Sequence, residues 1–125
     1  MTLGEMEKGV RNKVLDTVET CRFGPSFVLV SLCEGIERLR VICPESRYFN
    51  LRLFDWSRPD GLALEGMTDA QVSAVRLFEP YFDARWNDAV VYFAAGRCYE
   101  FDQSDTSNAQ LAANMMAMFE KLALT

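Results

Sequence analysis

Apolar positions along this chain recur in two rhythms, one returning every three or four residues and one alternating or continuous, and their succession predicts the elements. From Leu3 onward, Met6, Val10, Val14 and Val18 return every four residues with Leu15 and Cys21 beside them, the spacing of one helix face. Thr2 and Glu5 stand at its start as a capping-box pair, and Gly24-Pro25 predicts its end. The run Ser26 to Cys33 (SFVLVSLC) is rich in branched and aromatic side chains with almost no alternation, which predicts a strand covered on both faces, with Glu34-Gly35 as the turn after it. Arg38 to Cys43 and Tyr48 to Trp56 alternate instead, with Leu39, Val41, Cys43, Phe49, Leu51 and Leu53 toward the core. Pro44, Glu45 and Ser46 turn between them, and the register that sets Leu51 beside Val41 also sets Arg52 opposite Arg40.

Asp55 to Met67 carries Pro59, Asp60, Gly61 and Gly66 and reads as the longest irregular connection. Thr68 and Gln71 form a second capping-box pair, followed by a helix whose buried side is Val75, Phe78 and Phe82 and which Pro80 kinks or ends near Glu79. Ala89 to Ala95 (AVVYFAA) reads as a strand, Gly96-Arg97 as a tight turn and Cys98 to Asp102 as the returning strand. The last stretch, Asp105 to Leu124, is an amphipathic helix whose polar stripe is narrow: Gln110, Asn114 and Lys121. Leu111, Ala112, Met115, Met116, Met118, Phe119 and Leu122 cover the rest of the cylinder. A helix on one side of a sheet needs an apolar arc of only about 100°, so this width predicts a second neighbour, with another subunit as the favoured occupant. The expected fold is α+β: an antiparallel sheet of about five strands packed with three helices, in the order α-β-β-β-α-β-β-α, as a single domain over residues 1–125.

Composition narrows the function more than the fold. A chain of 125 residues, half apolar and a quarter charged, has the balance of one globular domain. Its net charge of −5 disfavours nucleic acid and anionic membranes as partners. No apolar run reaches signal length or the ~20 residues of a membrane span, so a cytoplasmic location is expected. Cys21, Cys33, Cys43 and Cys98 are widely spaced and three continue apolar patterns, which favours buried free thiols over disulfides, with Cys21 the least buried. The chain has no histidine, which removes the commonest general base and metal ligand together. Asp55, Asp60, Glu65 and Asp69 bracket the long connection without calcium-loop spacing, and no glycine pattern suits a phosphate. No catalytic, cofactor or metal residue is assigned, and a non-enzymatic protein is expected.

Partner binding is the remaining class. Arg38, Arg40 and Arg52 form the one basic cluster, for which a solvated face paired with Glu37 or Glu45 outweighs an anion site. Val91 and Phe93 fall on a mixed face beside acidic neighbours; Tyr81 and Trp86 sit at element ends, where large rings plug corners or anchor interfaces. The expected partner-binding set is therefore Val91, Phe93, Arg40, Arg52, Tyr81, Trp86, Met115 and Met118. Arg85-Trp86-Asn87, after a helix and before a strand pair, is similar to the RWN stretch of YbjN-like proteins, and the element order resembles the class I type III secretion chaperones. That resemblance implies a homodimer holding a segment of a secreted effector on apolar patches, without catalysis. The alternative from composition is a small acidic inhibitor, phage-type or anti-defence, occupying a basic site on a nucleic-acid enzyme.

Overall fold

In the computed structural model, which describes residues 1–15, 23–43, 68–77, 79, 84–102 and 107–124, the elements are helices throughout. Among the described residues there are five, α1 (Leu3–Lys13), α2 (Pro25–Ile42), α3 (Asp69–Leu77), α4 (Ala84–Phe101) and α5 (Asn108–Ala123), and no strand. The expected α+β sheet is thus overturned. The supposed strands over 26–33 and 38–43 are consecutive parts of α2, and those over 89–95 and 98–102, with the Gly96-Arg97 turn between them, are consecutive parts of α4. The strand expected over 48–56 and the long connection after it lie outside the described residues. Because both architectures named above require that sheet, the resemblance to secretion chaperones and YbjN-like proteins is overturned with it. Arg85-Trp86-Asn87 forms the first turn of α4 rather than a link into a hairpin.

The physical reason lies in what an apolar run without alternation means. A strand covered on both faces and a helix covered all round give the same local pattern, and only length separates them. In α2 the buried residues Val28, Leu29, Leu32, Cys33, Ile36 and Leu39 keep helical spacing straight through the supposed turn at Gly35. In α4, Trp86, Val90, Ala94 and Cys98 return every four residues and are all buried. Gly24-Pro25 marks a start rather than a stop: Gly24 is the N-cap of α2, and Pro25 occupies the first turn, where its missing N–H costs nothing and its φ is already helical.

The three helices read from periodicity are present. In α1, Thr2 Oγ1 accepts from the Glu5 amide at 3.2 Å and Glu5 Oε1 accepts from the Thr2 amide at 3.1 Å, so both halves of the capping box form. Thr68 and Gln71 repeat this ahead of α3, at 2.9 and 3.2 Å. The first helix ends sooner than its periodicity suggests, at Lys13, with Leu15 in the left-handed region at φ 57°. α5 begins behind Ser107, whose side chain makes no cap bond; buried Asn108 instead donates to the Asp102 carbonyl at 2.7 Å, tying the end of α4 to the start of α5.

α2 and α4 form the central pair and run antiparallel. Gly35 approaches Phe93, Arg97 meets Glu34, and Phe101 reaches Phe27, so positions ascend along one helix as they descend along the other. α1 packs across both, α3 lies against α1 and α2, and α5 lies along α4. The core is one cluster drawn from all five helices, centred on Met6, Val10, Leu29, Leu32, Ile36, Trp86 and Val90. Glycine opens two of these crossings. A Cβ on Gly35 would meet the Phe93 ring at 3.1 Å, and one on Gly96 would meet Met116 Cε at 2.9 Å. Among the described residues no helix is long and apolar enough to cross a membrane.

Candidate functional site

The side chains expected to bind a partner are distributed through this bundle. Val91, Phe93 and Trp86 lie in the core, exposed by only 4, 7 and 1 %, and so are packing residues within the single chain. Phe93 meets Phe119 edge-on, ring centroids 5.2 Å apart, at the α4–α5 contact. Met115 and Met116 pack against the core while Met118 is half-buried, so much of the wide apolar girdle of α5 is taken up by α4. Arg40 lies 3.7 Å from Glu37 one turn back on α2, and Arg38, two residues away on a helix, faces elsewhere. Arg52 and Tyr81 lie outside the described residues, as do Cys21, Asp55, Asp60 and Glu65.

Cys33, Cys43 and Cys98 are free thiols. Burial, with Glu34 and Glu37 nearby, pushes the Cys33 thiol far above its ordinary range, which suits an inert core residue and not a nucleophile. No group of three or more potential metal ligands gathers among the described residues.

What the fold does assemble is a cleft of about 770 Å³ between the first half of α2 and the end of α4. Helical spacing puts Phe27, Val30, Ser31 and Glu34 on one face of α2, and the antiparallel crossing brings Arg97, Glu100 and Phe101 of α4 opposite them. Phe23, just ahead of α2, completes an aromatic run: its ring stacks on Phe27 at 6.0 Å, and Phe27 meets Phe101 at 4.8 Å with the planes tilted by 44°. Phe101 is 67 % exposed, a large apolar ring left in water at the mouth. At the floor is Ser31, 4 % exposed.

The far rim is polar. Arg97 reaches Glu34 through Nη2 at 3.2 Å and Glu100 through Nη1 at 3.3 Å, and its guanidinium carbon stands 5.4 Å above the Phe93 ring. All three charged side chains are half-exposed, so each pair is weak, about 0.2–1 kcal/mol. The N-terminus of α2, with no side-chain cap, opens on the other end of the cleft, and its amides before Val28 lie outside the helix's own ladder. The C-terminal end of α4 lies beside it through the Phe27–Phe101 contact, so the two opposed helix dipoles offset each other there. The cleft is therefore apolar along its floor, near neutral at one end and acidic at the other.

Sequence reasoning missed this set because Phe27 and Phe101 were placed in separate strands. Read as a helix, the i, i+3, i+4, i+7 spacing of Phe27, Val30, Ser31 and Glu34 is visible; the pairing with α4 is not. No family model, curated protein or solved structure matches the chain.

Proposed function

We propose that this chain is a non-catalytic binding module whose α2–α4 cleft receives an apolar anchor from a partner protein. The observation that carries the reading is Phe101, exposed yet ring-to-ring with Phe27 at the mouth of a cleft floored by Phe23 and Val30. Volumes of roughly 300–1,000 Å³, apolar lining and a few polar groups at the edge are the ordinary features of a recognition pocket. Ser26 and Glu34 are separated by about 12 Å of helix, so the site is a trough suited to a segment rather than a single point of contact. Covering one exposed aromatic ring contributes about 1.5–3 kcal/mol, enough to make it the dominant anchor point of a modest interface.

Selection from a displayed library of random peptides tests the reading. Enriched peptides share one large apolar residue and lose binding to Phe101→Ser, whose thermal melt stays near that of the unaltered chain because Phe101 lies outside the core. Absence of enrichment, or peptides that bind Phe101→Ser equally well, would overturn it.

A further inference from the structure

The rim charges specify what stands beside that anchor. Glu34 and Glu100 supply two carboxylates for the one guanidinium of Arg97, and Arg97 is the only cation among the described residues lining the cleft. The offset helix dipoles at the other end provide no strong seat for an anion. Ser31 adds a hydroxyl between the aromatic floor and the acidic rim.

Resting on the cleft reading above, we infer that the occupant is a polypeptide segment carrying a lysine or arginine beside its apolar anchor, with that cation entering between Glu34 and Glu100 in place of Arg97. Arg97 then acts as an internal placeholder: it keeps the two carboxylates paired in the empty cleft and swings out on docking. Its exposure makes the exchange easy, since an exposed ion pair contributes little and reforms with an equivalent cation. The net charge of −5 adds a long-range attraction for a basic segment that fades with salt.

The test titrates the chain with three capped peptides that share a central phenylalanine and differ only in one neighbour, arginine, glutamine or glutamate, following backbone amide shifts of Phe27, Ser31 and Phe101. The arginine peptide binds tightest and the glutamate peptide weakest, by about two- to fivefold per step. Arg97→Gln strengthens the arginine peptide by a similar factor without helping the glutamine peptide, and the double variant Glu34→Gln/Glu100→Gln abolishes the order. All three positions are half-exposed, and matching melts establish that the variants fold. Equal affinities across the three peptides overturn this inference while leaving the cleft reading intact; no movement of cleft amides with any peptide overturns both.

Discussion

Glu7 is the polar residue on which the bundle depends most. Its side chain is only 5 % exposed and takes four hydrogen bonds: from Arg11 Nε and Nη2 at 3.2 and 2.9 Å, and from Arg76 Nε and Nη2 at 2.7 and 3.1 Å. Arg11 also donates through Nη1 to the Phe23 carbonyl at 3.0 Å, so one carboxylate links α1, α3 and the chain entering the cleft. The Glu7 bond pushes the Arg76 guanidinium even above its ordinary range, so Arg76 stays charged at any working pH. Removing the carboxylate takes a charged partner from Arg76 and from the largely buried Arg11; the full cost of breaking a buried pair is about 3–5 kcal/mol, and the 41 % exposure of Arg76 together with the remaining bonds of Arg11 lowers it, so Glu7→Gln loses about 2–3 kcal/mol in denaturant titration. Arg76→Gln loses less, because Arg11 still pairs with Glu7. The Glu7–Arg11 spacing is legible in the sequence as an i, i+4 pair; that Glu7 falls on the buried side beside Leu3 and Val10, and that Arg76 closes on it, is not.

At the scale of elements, capping chemistry was the reliable signal and apolar runs were the ambiguous one. Thr2–Glu5 and Thr68–Gln71 each marked a true helix start, because both halves of a capping box are local and owe nothing to the rest of the fold. SFVLVSLC and AVVYFAA have the composition of strands, yet both belong to eighteen-residue helices that are buried around most of their circumference along these runs. Burial overrode β propensity there, as it does wherever tertiary packing decides. The glycines were misread for the same reason: Gly35 and Gly96 looked like turns and are places where two helices meet closely. Gly35→Ala measures this directly. Helix propensity favours the alanine by about 1 kcal/mol, but its Cβ would stand 3.1 Å from Phe93 Cδ1, and overpacking costs about 1–3 kcal/mol. A net loss of about 1 kcal/mol is expected from thermal or chemical unfolding.

For the whole molecule, the antiparallel α2–α4 pair organises both the core and the cleft proposed as the binding site. Its middle, around Leu32, Ile36, Val90 and Ala94, is the core; its end, where Phe27 meets Phe101, opens into the cleft. One pairing thus places the exposed aromatic ring at the mouth and the Glu34–Arg97–Glu100 rim one to two turns away. None of this was readable along the chain, because the residues involved are about 70 positions apart and the pairing follows from packing five helices together. The absence of histidine and of any phosphate or metal motif in the sequence left partner binding as the expectation, but nothing in the order of residues pointed to this cleft. The central claim is that Phe27 and Phe101 meet ring to ring at the mouth of a cleft that takes an apolar anchor. A nuclear Overhauser spectrum of the isotope-labelled chain with a library-selected peptide tests it most directly. The account predicts ring-to-ring cross-peaks between Phe27 and Phe101, together with intermolecular cross-peaks from the peptide's apolar residue to both rings. Absence of the Phe27–Phe101 contact, or peptide contacts confined to another face of the bundle, would contradict it.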